Sequence, residues 1–337
     1  MRYGLSIAAV VAVVIAFGLI VAKNTPRHED SILNVSYDPT RELYEQIDAA
    51  FETDYARQSG RTLRVRQSHG GSSRQSRAVI AGEEPADVVT LGLFADVDAL
   101  RKRGLIADGW ADRLPNHSRP YTSTIVFVVR RGNPMQLHDW PDLVNTGVDI
   151  ITPNPKTSGN GKLSALAAWG AIVTRGGSED DAKQYLTKFY RHVRVLDAGA
   201  RGAANTFTLA QLGDVQLTWE NEAIREVAES NGALQMIYPP VSILAEAYVA
   251  WVDANVNRHG TEAEARSYAE FLFTDTAQHI IGELGYRPYK PVDGGASARP
   301  PIVLFPITAI ARDWDDAQQK FFADNGIIDG VLPEAPR

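Results

Sequence analysis

Val148-Asp-Ile-Ile-Thr152, then Pro153-Asn-Pro-Lys-Thr-Ser-Gly-Asn-Gly161, then Lys162-Leu-Ser-Ala-Leu-Ala-Ala-Trp-Gly-Ala-Ile172 is the stretch that decides how this chain is read. Its first part is short and rich in β-branched residues, which predicts a strand over 148–152. A turn crowded with Pro, Asn, Ser and Gly follows. The apolar run after it is long enough for a helix over 162–172. Strand, tight turn and helix in that order make the repeating unit of layered α/β folds.

The unit recurs on both sides. Upstream, Ile32 to Ser36 reads as a strand and Arg41 to Gln58 as a helix, with Leu43, Ile47, Phe51 and Tyr55 spaced four apart on one face and Gly60 as the stop. Thr62 to Gln67 and Asp87 to Leu91 read as strands around a helix at Ser73 to Ile80. Thr122 to Arg130 is a long β-branched run that reads as one strand, and the pattern then restarts. Downstream, strands are predicted at Val193–Leu196, Val215–Trp219 and Tyr248–Val252, and helices at Glu220–Ala228 and Glu262–Phe273. Two alternating blocks joined by long strands predict two lobes with a cleft between them, each built on a largely parallel sheet. Pro291 to Pro301 reads as a surface loop.

Composition narrows the function. The 337 residues suffice for about two domains, and the 44 % hydrophobic and 22 % charged content is that of a globular chain. A net charge of −7 argues against nucleic acid as a partner. It does not exclude an anionic ligand, since net charge governs solubility and steering rather than one local site. Without cysteine there is no thiol nucleophile, cysteinyl metal site or disulfide. Arg2 precedes an apolar run from Leu5 to Ala22 that Lys23 closes. The run fits an export signal, although it is longer than the usual apolar core. It is also long enough for an N-terminal membrane tether, and both readings stay open. Residues 1–30 are therefore set apart from the fold as signal or anchor plus linker.

The chemistry gathers where strands hand over to helices. Asp38-Pro39-Thr40 follows the first strand, with Asp suited to a cap and Pro to the first helical turn. Ser68-His-Gly-Gly-Ser72 follows the second, and Ser72 with Gln75 matches a capping box. Thr157-Ser-Gly-Asn160, Asp197-Ala-Gly-Ala-Arg201 and Trp219-Glu-Asn221 occupy the same place in the second block. Each alone is an ordinary cap, turn or core residue. Together they recur at the carboxyl ends of strands, where open α/β sheets bind ligands. Helix N-termini there offer unsatisfied N–H groups and a partial positive charge, which suits an anion. No G-x-S-x-G elbow accompanies His69-Gly70-Gly71, and there is neither a Walker motif nor an H-E-x-x-H. The chain therefore reads as a binder rather than an enzyme.

Long, ordered strings carry a specific resemblance: Asn34-Val-Ser-Tyr-Asp-Pro-Thr-Arg-Glu-Leu-Tyr44, Arg66-Gln-Ser-His-Gly-Gly-Ser72, Ile151-Thr-Pro-Asn-Pro-Lys-Thr-Ser-Gly159, Leu196-Asp-Ala-Gly-Ala-Arg-Gly202 and Trp219-Glu-Asn-Glu-Ala223. From about residue 32 to Asp329 the sequence resembles the bacterial sulfate/thiosulfate-binding proteins, the solute-binding subunits of ABC importers. The resemblance implies a two-lobed periplasmic binding protein of type II with two crossover strands, near 117–124 and 244–250. Lobe one would comprise 31–119 with 248–337, and lobe two 120–247. It implies sulfate as ligand, with thiosulfate or another tetrahedral oxyanion as the alternative, and a sensor subunit as a second use of the same fold. The implied partners are permease subunits; a monomer in the periplasm without metal or organic cofactor is expected. Carried over position by position, the ligand donors are the Asp38 N–H, the Ser72 hydroxyl, the N–H groups of Ser158, Gly159, Asn160 and Ala200, and the Trp219 indole. Asn160 departs from the family's usual glycine, as do Ser73 and the stretch Ala311 to Asp313, and Leu163 stands where an aromatic is common.

Overall fold

The computed structural model describes residues 30–292 and 299–332. The signal or tether reading of 1–30, including the apolar run 5–22, falls outside the described residues except for Asp30, as do residues 293–298 of the predicted loop. Among those that are described, no helix is long and apolar enough to cross a membrane.

Two mixed sheets dominate. In the first, β1 (Asp30–Tyr37) lies between β2 (Leu63–Gly70) and β3 (Val88–Leu91), parallel to both, and β12 (Tyr248–Trp251) closes the far edge antiparallel to β3. In the second the order is β7 (Val193–Asp197), β6 (Ile150–Pro153), β8 (Val215–Trp219), β5 (Ile125–Arg130), β9 (Leu234–Ile237). Here β6 is parallel to β7 and β8, and β5 runs antiparallel to both its neighbours. Each sheet is thus mostly parallel, with one reversed strand. That strand follows a crossing of the chain from the other sheet. The crossings themselves, β4 (Tyr121–Ser123) and β11 (Ala245–Glu246), pair side by side, Ala245 opposite Ser123 and Glu246 opposite Thr122. These are the two crossover strands of the type II architecture.

Both faces of each sheet are covered, so strand residues of both parities are buried. Ile32 packs toward Leu43, Ile47 and Phe51 of α1 (Arg41–Ser59). Leu33 and Val35, on the opposite face, pack with Val97 and Leu100 of α3 (Phe94–Lys102). α1 stops at Gly60, whose φ of +68° is the left-handed cap the sequence called for. The other helices that matter for the site are α2 (Ser72–Ala81), α4 (Gly159–Val173), α5 (Glu179–Arg191), α6 (Ala200–Thr208) and α7 (Glu220–Glu229).

Three expectations need correction. The run Thr122 to Arg130 is not one strand: it breaks at Thr124, whose hydroxyl donates to the Ile243 carbonyl at 2.8 Å while its own carbonyl accepts the Glu220 N–H at 2.9 Å. α4 begins at Gly159, three residues before the predicted start. The C-terminal region also divides. Helices at Asp253–His259, Glu262–Phe271 and Asp275–Glu283 belong with the first sheet, Tyr268 bonding Asp48 of α1 at 2.6 Å. From residue 303 the chain sits chiefly on the second sheet's helices. β13 (Val303–Phe305) pairs with β10 (Val241–Ile243), Phe321 meets Trp169 at 5.1 Å, and Lys320 reaches Glu179 of α5 at 2.5 Å.

Gly170 is the socket for this C-terminal segment. A Cβ there would lie 2.0 Å from Cζ of Phe305. Alanine inside a helix otherwise gains about 1 kcal/mol over glycine, and overpacking costs about 1–3 kcal/mol. Gly170→Ala is therefore expected to lower stability by up to about 2 kcal/mol in urea unfolding. A stabilised variant would show that Phe305 does not seat there.

Candidate functional site

The carboxyl ends of β1, β2, β6, β7 and β8 converge on one cleft. From the first sheet come Tyr37 and Asp38, Gly71 and Ser72, and Gly92; from the second come Ser158 to Asn160, Ala198 to Ala200, and Trp219. The approach is close. A Cβ on Gly71 would lie 2.6 Å from the Thr157 carbonyl oxygen, and one on Gly199 2.3 Å from Oδ2 of Asp38. A Cβ on Gly159 would meet Cβ of Ser72 at 3.1 Å, and one on Gly92 would meet the Trp219 ring at 3.3 Å. At Gly71, where the neighbour is backbone, only glycine allows the approach. Asp38, Ser72, Gly159 and Trp219 thus meet where the two sheets face each other, and Ser158, Asn160 and Ala200 are chain neighbours of residues that meet there.

What each can offer differs from expectation in several respects. Asp38 does not cap. Tyr37 occupies the cap position of the Asp38–Thr40 turn, and Oδ1 of Asp38 pairs with Arg41 at 3.2 Å. Ser72 does not form a capping box with Gln75, because Gly71 holds the cap position of α2. Its hydroxyl donates instead to Oδ2 of the buried Asp96 at 2.6 Å and accepts the Gly92 N–H at 3.1 Å. Ser158 caps α4, accepting the Gly161 N–H at 3.4 Å, but its own N–H is engaged by the Asn154 carbonyl at 3.0 Å. Gly159 and Asn160 are the first residues of α4 and Ala200 is the first of α6, with Gly199 extended before it. Amides in a first helical turn have no intrahelical acceptor.

Two side-chain donors stand out. Nε1 of Trp219, at the end of β8, is buried in a residue 1 % exposed and has no acceptor. Its ring packs against Tyr37 with centroids 5.2 Å apart. Nδ2 of Asn160 is likewise buried without a partner, while Oδ1 accepts the Ser164 hydroxyl at 3.0 Å. An unmet buried donor costs about 1–3 kcal/mol; Nε1 of Trp169 and of Trp314 are equally unmet elsewhere, so what distinguishes Trp219 is its place at the end of β8, against Tyr37 where the two sheets meet.

The charged groups around the cleft are spent on each other. Arg201 of α6 reaches across to Glu42 of α1 at 3.0 Å, and Lys162 of α4 lies 3.7 Å from Asp96. Burial would raise the Glu42 carboxyl, but the hydrogen bond and charge of Arg201 outweigh it and hold it below the usual carboxylate range. His69 is pushed down to about 4 by burial and by the charge of Arg41, so it is neutral at pH 7. These pairs join elements far apart in the chain, and no local sequence signal announces them. Among the described residues no cluster of His, Asp and Glu is placed to hold a metal ion.

Comparison with known proteins follows this geometry. Residues 32–287 match the family described as bacterial extracellular solute-binding protein. The chain is 44 % identical over 317 residues to the sulfate-binding protein of Escherichia coli K12, covering 93 % of this chain and 96 % of that one. It is 42 % identical over 304 residues to the thiosulfate-binding protein of Pseudomonas aeruginosa, covering 89 % and 91 %. Among solved structures, the sulfate-binding protein SubI from Mycobacterium tuberculosis superposes with a TM-score of 0.77 at 28 % identity, over 87 % of this chain and 99 % of that one. With two mostly parallel sheets, two crossing strands and a donor-lined cleft between them, this chain belongs to the bacterial extracellular solute-binding protein family.

Proposed function

We propose that this protein captures sulfate between its two lobes and delivers it to the permease of an ABC importer. The observation that carries this reading is the Trp219 indole N–H, fully buried in the cleft without an acceptor. Around it, the N–H groups of Asp38, Gly159, Asn160 and Ala200 are the backbone donors, and the Asn160 side-chain amide adds one that a glycine there could not. The N-termini of α2, α4 and α6 supply the compensating partial charge. Ser158 contributes by fixing the start of α4. Ser72 would donate only after turning its hydroxyl away from Asp96.

Donors alone discriminate between oxyanions. Sulfate carries no proton near neutral pH, whereas phosphate would direct an O–H at groups that cannot accept it. That mismatch costs about 1–3 kcal/mol, more where charge is involved. Thiosulfate is the second reading, favoured by the relative named for it. Lobe one is assigned to 31–119 with 248 to about 292, and lobe two to 120–247 joined by the segment from 303. Hinge closure of one on the other presents both lobe surfaces to the permease. The protein acts as a monomer in the periplasm, performs no chemistry on its ligand, and uses residues 5–22 as export signal or tether.

Calorimetric titration of the purified protein is expected to show saturable sulfate binding that phosphate does not displace. Because His69 stays neutral above about 4, sulfate affinity should change less than about threefold between pH 5.5 and 8. Effective competition by phosphate would overturn the donor-only site, and stronger binding of thiosulfate would move the assignment to that ligand. Trp219→Phe keeps the ring and removes the N–H. A hydrogen bond to a charged group is worth about 1.5–3 kcal/mol, so Kd for sulfate should rise by about 10- to 100-fold. An unchanged Kd would remove Trp219 from the site. Glu42→Gln breaks the charged tie to Arg201 across the cleft and should speed sulfate release while leaving the melting temperature nearly unchanged, since the pair is partly exposed.

A further inference from the structure

A second cavity lies in the second lobe, away from the cleft. Its volume is about 380 Å³, and it opens between α6 and α7 over the β5 and β9 edge of the sheet. One wall is apolar, with Ala204 and Leu234 buried and Leu209 standing 77 % exposed beside the mouth. The other is polar. Arg130 lays its guanidinium over Phe207 at 3.8 Å and donates through Nη2 to the carbonyls of Phe207, Leu212 and Gly213. Among the described residues Arg130 makes no ion pair; the Asp214 carboxylate acts on its charge only from a distance, and burial outweighs it and holds the guanidinium below its usual range.

Two groups lining this cavity are buried without partners: Nε of Arg201, and Oε2 of Glu226, a residue only 5 % exposed. The other oxygen of Glu226 accepts Nε2 of Gln216 at 3.2 Å. Burial, helped by the charge of Glu222, pushes the Glu226 carboxyl up to about 8, so at pH 7 it presents an O–H. An orphaned N–H and an orphaned O–H both call for an acceptor, and a guanidinium without an ion pair favours a charged one. A bare inorganic oxyanion would satisfy them but leave the apolar wall wet and most of the space unfilled, whereas pockets of this size take small organic molecules.

We propose that the cavity between α6 and α7 is a second ligand site, which takes a small organic anion with a carboxylate or sulfonate head on a short apolar stem. The head meets Arg130, Arg201 and Glu226, and the stem lies on Ala204 and Leu234. Arg201 is shared: its guanidinium also holds Glu42 across the main cleft. An occupant here is therefore coupled to closure, and by linkage closure is coupled equally to the occupant. This coupling rests on the sulfate reading above; the binding itself does not.

The test titrates the purified protein with butanoate and with butane-1-sulfonate, each in the absence of sulfate and at saturating sulfate. Saturable binding that persists in excess sulfate is expected, with Kd of about 1 mM or below; whichever probe binds more tightly identifies the head group. Ala233 lines the mouth and is exposed, so Ala233→Phe should block entry and weaken the probe by at least about tenfold while sulfate affinity is unchanged. Glu226→Leu removes the O–H at similar volume and should weaken it as well. No saturation by either probe up to about 10 mM, binding abolished by sulfate, or affinity indifferent to both substitutions would overturn the site. Should sulfate fail to bind at all, the sulfate-free arm still reads this cavity, so the two proposals can fail separately.

Discussion

A buried N–H group with no acceptor is the constraint around which the structure is arranged. Backbone amides in the first turns of helices cannot be satisfied within the helix, and the fold brings the starts of α2, α4 and α6 to one cleft instead of spreading them over the surface. Parallel strands make this arrangement economical. They send successive helices off from the same edge of a sheet, so two sheets facing across a cleft aim all those helix starts at one volume. The Trp219 indole extends the same logic to a side chain, placed at the last residue of β8 where the strand delivers it beside Tyr37.

Closeness is obtained with glycine and held with charge. A methyl group on Gly71 would overlap the Thr157 carbonyl of the opposite lobe, so the two backbones approach to a distance a side chain there would forbid; one on Gly199 would displace the Asp38 carboxylate. The ion pairs Glu42–Arg201 and Asp96–Lys162 then span the same gap. Each pair neutralises itself. The force that holds the lobes together is therefore supplied by side-chain charges that satisfy each other, leaving the helix-start amides of the cleft free of that task.

Much of this was legible in the sequence, and the failures share a cause. The strand–turn–helix units and the Gly60 stop follow from local patterns, whereas the choice of Asp38, Ser72, Ser158, Gly159, Asn160, Ala200 and Trp219 comes from the family resemblance. α4 was expected to start at Lys162 because Gly159, Asn160 and Gly161 are poor helix formers; the Ser158 cap is what lets helical geometry begin among them. The box pattern of Ser72 and Gln75 was present but lost to Asp96, 24 residues on, which takes the Ser72 hydroxyl. The break at Thr124 has no signal within its uniformly β-branched run, since it arises from a bond to Ile243 in the returning crossover. Gly170 as a socket for Phe305 is equally nonlocal. α5 is absent from the sequence reading, although Ser178 and Asp181 form a reciprocal capping box ahead of Ala182, Tyr185, Leu186 and Phe189 on one face.

Net charge and ligand charge seem opposed, and the length scales reconcile them. A chain of net charge −7 repels a dianion at a distance, but at physiological ionic strength that repulsion is screened beyond about 8 Å. Within the cleft there is little solvent to screen anything, and interactions at hydrogen-bond distance gain from the low dielectric. Oriented N–H groups there outweigh a distant excess of carboxylates, so acidity of the whole surface and affinity for an anion are independent properties of the same fold. The donors can also be neutral for the same reason: a fixed cation would bind any anion of suitable size, whereas a set of N–H groups fixed by helix starts distinguishes an oxyanion that only accepts from one that must also donate.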